Sequence, residues 1–301
     1  MGHAAAVKVR IGVAAGTGVS DNPGEFIGLV DALDDLGYDS VWVPDIITTA
    51  TLDPIAALSV AAGRRERLKL GTHLILPGRD PVMLAKQLAS LDQLSNGRVL
   101  LLAVLGLRRT EELAAQGVAA SDRTSMLEEQ LHILRTLWAG EELNVDGRHY
   151  SYEGVRLGVR PVQDPLEVWL GGQVPAALER CGRIGEGWMP GLLTPTECAE
   201  AKATIAAAAA AAGRNIDDEH FGVNISWVEG AISDTTRAAI EMRRPDLRAE
   251  DALAHGVTGL TEKIQSYLEV GFSKFVIRPA DQPDSWAEAV ESVAAVVDLQ
   301  T

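Results

Sequence analysis

The chain has 301 residues, and its 42 acidic side chains outnumber its 27 Lys and Arg side chains, which gives a formal net charge of −15. Hydrophobic residues make up 47% of the sequence and charged residues 23%, proportions typical of a globular protein with a sizeable core. This composition excludes a disordered tail protein, and it disfavours a general nucleic-acid binder because an acidic surface repels a polyanion.

Short β-branched runs alternate with helical stretches along the whole chain, and most runs are almost continuously apolar, as is typical of parallel strands buried on both faces. The eight predicted strands are Val7–Ala14, Ser40–Pro44, Leu68–Leu74, Val99–Leu105, Glu167–Leu170, Gly187–Met189, Phe221–Val228 and Lys274–Arg278. Eight unbroken strand–helix units favour an α/β fold, a closed (β/α)8 TIM barrel, as a single domain over residues 1–301. An open doubly wound sheet is the alternative, because strand order cannot be read from the sequence.

Helix-start signals fall between the predicted strands. Proline follows a good cap, where its missing N–H is tolerated, at Asn22-Pro23, Asp53-Pro54, Asp80-Pro81 and Thr194-Pro195. The spacing of a cap residue and an acid predicts capping boxes for the pairs Asn22 and Glu25, Ser125 and Glu128, Thr194 and Glu197, and Ser285 and Glu288.

Three segments exceed the plain strand–helix unit. Leu107–Thr124 follows the fourth strand and Ala231–Val257 follows the seventh, so both are predicted insertions. Gly140–Val162 is predicted to be a hairpin that turns at Asp146-Gly147.

Two features bear on the cell compartment and on metals. No run approaches the roughly 20 apolar residues that span a bilayer, and the N-terminus lacks the apolar stretch of a signal peptide, so we expect a cytoplasmic protein without a membrane partner. Cys181 and Cys198 have no metal-ligand partners at useful spacing, which predicts free thiols and no metal site.

The active site of a barrel of this kind is built from loops at the carboxyl ends of its strands. At one such end, Gly171 and Gly172 lie between a strand and a helix start, where backbone amides suit a phosphate. The same pair of glycines equally suits a plain tight turn.

Eight motifs occur along the chain in a specific order and spacing: LGYDSVWVPD at 36–45, LGT at 70–72, LPGRDPVMLAKQ at 76–87, LDQLSNGR at 91–98, GRHY at 147–150, RPVQ at 160–163, WLGG at 169–172 and GEGW at 185–188. Over nearly the whole chain they resemble the luciferase-like flavin-dependent oxidoreductases, most closely the actinobacterial branch that uses the deazaflavin coenzyme F420. The resemblance implies a (β/α)8 barrel and hydride transfer between F420 and a small organic substrate. It also implies a homodimer packed through helices two and three, part of whose apolar faces must cover the barrel.

The resemblance also implies a set of site residues. It places the coenzyme ring over a non-prolyl cis peptide between His73 and Leu74. The residues expected to bind the coenzyme are Thr72, His73, Leu74, Gly106, Leu107, Gly171, Gly172, Gln173 and Val174.

Each predicted catalytic or substrate residue has a structural alternative. His73 is expected to relay a proton and Asp45 to act beside it, but a strand-end histidine is often structural and a loop acid often caps local amides. Arg278 ends the eighth strand, where we expect it to meet an anionic substrate or coenzyme tail; a surface salt bridge is the alternative.

Two departures from the family pattern keep other functions open. Ile46 follows Asp45 where many members have a histidine, and isoleucine cannot move a proton. Leu105 stands where FMN-binding luciferases place an arginine for the phosphate, although Arg108 or Arg109 could substitute. The alternatives are therefore an FMN-dependent luciferase-like monooxygenase and a non-catalytic flavin-binding barrel.

Overall fold

The computed structural model describes residues 8–16 and 22–301. The chain divides into two compact units: unit 1 contains Met1–Trp42 and Trp169–Thr301, and unit 2 contains Val43–Val168. The start of the first predicted strand, at Val7, lies outside the described residues.

The strands of the described residues follow the predicted ones closely. In chain order they are β1 (Arg10–Ala14), β2 (Ser40–Pro44), β3 (Lys69–Ile75), β4 (Val99–Val104), β5 (Leu143–Asp146), β6 (Ser151–Val155), β7 (Val168–Leu170), β8 (Gly187–Trp188), β9 (Gly222–Val228), β10 (Ala254–His255) and β11 (Lys274–Pro279). The eight predicted strands correspond to all of these except β5, β6 and β10, and their ends differ by at most a few residues.

Helices separate the strands. They are α1 (Pro23–Leu36), α2 (Pro54–Arg64), α3 (Pro81–Ser95), α4 (Thr110–Gln116), α5 (Arg123–Trp138), α6 (Pro175–Ile184), α7 (Pro195–Ala211), α8 (Asp234–Arg243), α9 (Ala249–Ala252), α10 (Gly256–Leu268), α11 (Trp286–Ser292) and the 3₁₀ helix η1 (Ala294–Leu299). The four predicted proline starts are confirmed, since α1, α2, α3 and α7 each begin at that proline.

The strands of unit 1 are parallel. β1 pairs with β2 on one side and with β11 on the other, and β11 also pairs with β9. β7 pairs with β8, and single parallel bridges join Trp188 to Phe221 and Gly191 to Asn224 at the edge of β9. Because the strands are parallel, the loops that follow β7, β8, β9 and β11 leave from the same edge of this sheet.

Unit 2 contains a second parallel pair. β3 pairs with β4 from Leu70 opposite Val99 to Ile75 opposite Val104. α3 packs between α2 and α5, and the buried indole of Trp138 donates to the Ala85 carbonyl at 3.0 Å. The predicted hairpin is present as antiparallel β5 and β6, and its first strand ends at Asp146 as expected.

The two predicted insertions carry helices of their own. The segment after β4 contains α4, and the segment after β9 contains α8, α9 and the two-residue strand β10, which extends the edge of β9. Among the described residues no helix is long and apolar enough to cross a bilayer.

One of the predicted capping boxes forms in full and one is wrong. Thr194 accepts from the Glu197 amide, and the Glu197 carboxylate accepts from the Thr194 amide at 2.7 Å. At the start of α5 the cap position is Asp122, so Ser125 lies inside the first turn and donates to the Asp122 carbonyl at 3.1 Å.

The other two pairs are incomplete. Asn22 caps the Gly24 amide, while Glu25 accepts from the distant Trp286 amide at 3.2 Å. Ser285 accepts from the Glu288 amide at 3.4 Å.

Candidate functional site

Asp45 joins the end of β2 to the end of β3. Its carboxylate accepts from the Ile75 amide at 3.1 Å and from the Arg79 guanidinium at 2.8 Å, and its own amide donates to the His73 carbonyl at 3.0 Å. Only 7% of the Asp45 side chain is exposed. Burial raises the pKa of this carboxyl, and Arg79 opposes that rise. The structure thus gives Asp45 the amide-capping contacts of the structural alternative; its catalytic role stays a prediction.

Thr72, His73 and Leu74 follow one another on β3. Thr72 and Leu74 are fully buried, whereas the His73 side chain is half-buried. Within residues 8–16 and 22–301 the Thr72 hydroxyl has no hydrogen-bond partner. Burying a hydroxyl unpaired costs about 1–3 kcal/mol, so this hydroxyl, at the middle of β3, is a buried polar group whose cost is not offset within the described residues.

The prediction of a cis peptide bond between His73 and Leu74 is wrong. Among the described residues the cis bond is Asp164-Pro165, and the bond after His73 is trans. Both residues continue the regular parallel register of β3 with β4, opposite Leu102 and Ala103. An extended ladder accommodates a trans bond, and a non-prolyl cis bond would cost about 3–4 kcal/mol.

The turn after β4 is fixed by two side chains from the insertion that follows it. Gly106 adopts φ +81°, and a Cβ there would lie 2.1 Å from Nε2 of Gln116. Gln116 donates to the Leu105 carbonyl at 3.0 Å. The buried Arg123 donates from Nη1 to the carbonyls of Leu105, Gly106 and Leu107 at 3.0, 3.3 and 3.3 Å. Glycine is therefore required at position 106 because the Gln116 amide approaches its backbone closely. Arg123 fixes the backbone of Leu107 through the carbonyl of that residue.

Glu112 on α4 fixes the loop after Asp45, and sequence reasoning missed it. Its fully buried carboxylate accepts from the amides of Ile47 and Thr48 at 3.3 and 2.8 Å and from the Thr48 hydroxyl. Although burial opposes ionisation, these hydrogen bonds and the charge of Arg109 lower the pKa of Glu112. The only sequence signal was an acid near a helix start, which also describes many ordinary exposed residues.

In unit 1 the predicted Gly171-Gly172 turn is tight. Gly172 adopts φ +108°, and a Cβ there would lie 2.7 Å from Cβ of Ala177 in α6. The Gly172 carbonyl accepts from the indole of the fully buried Trp188 at 2.9 Å. The close packing of Ala177 in α6 therefore excludes a side chain at position 172, whether or not a ligand is bound nearby.

The start of α6 offers fewer amides to a phosphate than the sequence suggested. Pro175 has no N–H, and the amides of Ala177 and Leu178 both donate to the Val174 carbonyl, at 2.8 and 3.1 Å. Val174 is the cap residue, has no side-chain cap bond and is 64% exposed. The plain-turn alternative therefore accounts for most of this geometry.

Four successive carbonyls after β8, at residues 190–193, are each held by a side chain from elsewhere in unit 1. The pairs are Pro190 with Asn224 Nδ2 at 3.2 Å, Gly191 with Gln173, Leu192 with Arg244 at 2.5 Å and Leu193 with Tyr267 at 2.5 Å. Leu192 adopts φ +59°, a left-handed conformation that is strained for a residue with a Cβ. Gln173, expected at the coenzyme, thus has a partner within the protein.

Arg278 stands near the end of β11. Its Nε donates to the Ser226 hydroxyl at 3.1 Å. The side chain is accessible to solvent although protein surrounds it on most sides, and this desolvation, with the like charge of Arg243, lowers its pKa. No carboxylate in the described part of the chain pairs with Arg278, so the salt-bridge alternative is not supported.

Within unit 2 the structure brings together Asp45, the Thr72–Leu74 stretch and the Gly106 turn, at the carboxyl ends of neighbouring strands. Within unit 1 it brings Gln173, next to Gly172, to the loop after β8. Among the described residues no group of three or more His, Cys, Asp or Glu side chains could hold a metal ion.

Two relatives of known sequence match this chain over different lengths, one over about half of it and one over most of it. An uncharacterized protein of Mycobacterium tuberculosis, Rv0953c, is 36% identical over 49% of this chain, and the match spans 52% of that protein, about half its length. The F420-dependent glucose-6-phosphate dehydrogenase of Nakamurella multipartita is 27% identical over 92% of this chain and 84% of its own.

Three solved structures share the fold at low identity. The F420-dependent tetrahydromethanopterin reductase of Methanopyrus kandleri has a TM-score of 0.78 at 17% identity, covering 97% of this chain and 99% of its own. An F420-dependent secondary alcohol dehydrogenase scores 0.75 at 17% identity, covering 95% and 99%. The FMN-bound oxygenating component of 3,6-diketocamphane monooxygenase from Pseudomonas putida scores 0.76 at 16% identity, covering 96% and 98%.

The model of the luciferase-like monooxygenase family matches residues 1–270, which is most of the chain. Together with the shared fold of the solved structures, this match confirms the predicted α/β fold of the TIM-barrel type. The chain belongs to the luciferase-like monooxygenase family.

Proposed function

We propose that this chain is an F420-dependent oxidoreductase that transfers a hydride between the deazaflavin coenzyme and a small organic substrate. The observation that carries the choice of F420 is the relationship to an F420-dependent dehydrogenase over 92% of the chain. Among the solved structures that share the fold, two are F420-dependent by name and others are described with FMN, so the fold is compatible with either coenzyme.

An FMN-dependent monooxygenase is the second candidate, because an FMN-bound monooxygenase shares the fold. The phosphate of FMN needs cationic or hydrogen-bonding partners, since an uncompensated dianion is costly in a pocket. Leu105 supplies none, and the nearby Arg123 is occupied by three carbonyls. Arg108 and Arg109 are exposed and would have to provide the charge instead.

The orphaned hydroxyl of Thr72 is the feature that fits a bound coenzyme best. Alongside it we propose that His73, Leu74 and the Gly106-Leu107 turn hold the ring. We propose that the segment Gly171, Gly172, Gln173 and Val174 lies along the coenzyme tail. The coenzyme, when bound, supplies two-electron hydride chemistry at C5 of its ring, while the protein holds the reactants together and excludes water.

Proton transfer falls to His73 in this proposal. Ile46 has no titratable group, and the Asp45 carboxylate is already bound to Arg79 and the Ile75 amide. The His73 side chain is half-buried and carries an imidazole, a group that can both accept and donate a proton. Asp45 assists by holding the His73 carbonyl, and thus the strand, through its own amide.

We propose that Arg278 contacts an anionic group of the substrate or the coenzyme tail. Its fork of N–H donors suits a carboxylate or a phosphate, and Ser226 fixes its Nε while no acid neutralises it within the described residues.

We also propose a cytoplasmic homodimer. Leu84, Leu88 and Leu91 on α3 are buried within the chain. The large apolar side chains left exposed on α2 and α3 are those of Val60, Met83 and Leu94, with exposed fractions of 52%, 58% and 72%. These supply the surface that a second copy would cover.

Replacing Thr72 by Val tests whether this hydroxyl holds F420. The change preserves shape and removes one hydrogen bond, so F420 affinity should fall about tenfold. The coenzyme-free protein should be no less stable, because an unsatisfied buried hydroxyl is lost. Fluorescence titration with F420 beside thermal unfolding measures both quantities.

Thr136→Val is the matched control, because the Thr136 hydroxyl donates to the His132 carbonyl at 2.9 Å within α5. It should leave F420 affinity unchanged. Equal affinity of the Thr72 variant and the wild type would remove Thr72 from the coenzyme site. Failure of the wild type to bind F420 would overturn the proposed function itself.

A further inference from the structure

The short helix α4 is attached to unit 2 mainly through polar side chains. Its two buried residues are Glu112 and Gln116, one turn apart, whereas its apolar Leu113 is only half-buried. Within the described part of the chain, α4 packs on loops rather than extensively on another helix or strand. A helix of seven residues is not stable by itself, and most helices depend on a buried apolar face. α4 therefore depends on the contacts of these two polar side chains.

The first of these contacts joins α4 to the loop after β2. The Glu112 carboxylate accepts from the amides of Ile47 and Thr48 at 3.3 and 2.8 Å and also from the Thr48 hydroxyl. The two segments lie 64 residues apart in the chain. One buried carboxylate thus links their positions.

The other end of α4 contacts the loops after β3 and β4. The Gln116 side chain donates to the Leu105 carbonyl at 3.0 Å and lies against Gly106. The Gln116 carbonyl is so near the loop after β3 that a Cβ at Gly78 would lie 2.5 Å from it. α4 therefore closes over the turn that the proposed function gives to the coenzyme ring.

Detaching α4 should be easier than opening the helix that follows it. α5 buries a row of large apolar side chains, among them Leu127, Leu131 and Leu134. Opening α4 exposes mainly polar groups, which water can bind in place of their protein partners, so the net loss is modest.

We propose that α4 and residues 46–49 form a lid that opens as one unit, and that Glu112 is the positioning residue that holds this lid closed. The lid lies at the carboxyl ends of β3 and β4. Its opening admits the coenzyme ring, and its closure keeps water from the ring. The identity of this ligand rests on the proposed function, whereas the motion of the lid does not.

Hydrogen–deuterium exchange of the coenzyme-free wild type is the first test. The hydrogen-bonded amides of α4 and the amides of Ile47 and Thr48 should be protected to a similar degree. Their protection should be about a hundredfold or more below that of the buried face of α5.

Thr48→Val is the most informative variant, because the change lies in one segment and is measured in the other. Loss of the hydroxyl bond to Glu112 should speed exchange in α4 about three- to tenfold and leave α5 unchanged. Glu112→Gln should speed exchange in α4 and in residues 46–49 alike. The matched control is Glu111→Gln, on an exposed position of the same helix, which should change neither segment.

Two results with the coenzyme-free protein would overturn the lid. One is an α4 in the wild type that exchanges as slowly as α5. The other is a Thr48→Val variant in which exchange of α4 is unchanged.

F420 itself gives the last comparison. Once fluorescence titration shows that the coenzyme is bound, exchange in α4 and in residues 46–49 should slow about tenfold. Unchanged exchange with F420 bound would overturn the lid. Failure of the wild type to bind F420 would overturn the proposed function instead, and the coenzyme-free exchange would then decide the lid.

Discussion

Arg79 and Asp45 form an ion pair in which the two partners should not be equally replaceable. The Asp45 side chain is 7% exposed and the Arg79 side chain 28% exposed, with 2.8 Å between Nη2 and Oδ2. Arg79→Met leaves a buried carboxylate without its cation. Asp45→Asn instead leaves a more exposed guanidinium, which water and Asp53 at 3.7 Å can still solvate.

The expected costs follow from this difference in exposure. Breaking a fully buried pair costs about 3–5 kcal/mol, and an exposed pair less than about 1 kcal/mol. For Arg79→Met we expect about 2 kcal/mol, because the Ile75 amide still donates to the carboxylate. For Asp45→Asn we expect about 1 kcal/mol, and the double variant should be less destabilised than the sum of the two.

The dependence on pH gives a second test of the same pair. The pKa of Asp45 is raised, so the folded protein binds this proton more tightly than the unfolded chain does. Stability is therefore lost as pH rises from the ordinary Asp value through the folded pKa. Without Arg79 the folded pKa rises further, so Arg79→Met should cost more at pH 7 than at pH 4. Urea unfolding at both values measures this. A larger cost for Asp45→Asn, or equal costs of Arg79→Met at the two pH values, would show that burial of the Asp45 carboxylate does not set these costs.

Three further predictions concern single residues. Gly106→Ala should cost about 2 kcal/mol, because the new Cβ displaces the Gln116 amide as well as straining a positive φ. Gly117 also has a positive φ, of +67°, but a Cβ there would meet only open space, so Gly117→Ala should lower the unfolding free energy by only about 1 kcal/mol. Equal unfolding free energies of the two variants would contradict the clash at position 106. Because Leu192 has a positive φ, Leu192→Gly should be about 1 kcal/mol more stable than Leu192→Ala, the reverse of the usual order. A lower Tm for the Gly variant than for the Ala variant would argue against backbone strain at this position. Glu112→Gln should cost about 1–2 kcal/mol at pH 7. The pKa of Glu112 is lowered in the folded protein, so the stability that its carboxylate contributes is present above the ordinary Glu pKa. This stability is lost as pH falls through the folded pKa. A cost of Glu112→Gln at pH 3 as large as at pH 7 would therefore contradict the prediction.

The sequence predicted the regular elements well because their signals are local. Parallel strands such as Val99–Val104 are nearly continuous apolar runs, and helices such as α7 begin with a cap followed by proline. The two-residue strand β10 has no such run, and it forms only because β9 offers an edge. Ser125 was misassigned because Asp122, three residues earlier, takes the cap position.

The site was predicted less completely because its supporting contacts are long-range. The possibility that Asp45 caps a local amide could be stated from sequence. No local pattern links Glu112 to Thr48, Arg123 to Gly106 or Arg244 to Leu192, since each pair is brought together by the tertiary fold.

We propose above that this chain binds F420 in preference to FMN. Difference spectra of the wild-type protein, titrated in parallel with each coenzyme, test it without knowledge of the substrate. We expect a saturable spectral change with F420 and a much weaker one, or none, with FMN. Tighter binding of FMN would contradict the claim in favour of a flavin monooxygenase, and no change with either would contradict it in favour of a barrel without a flavin coenzyme.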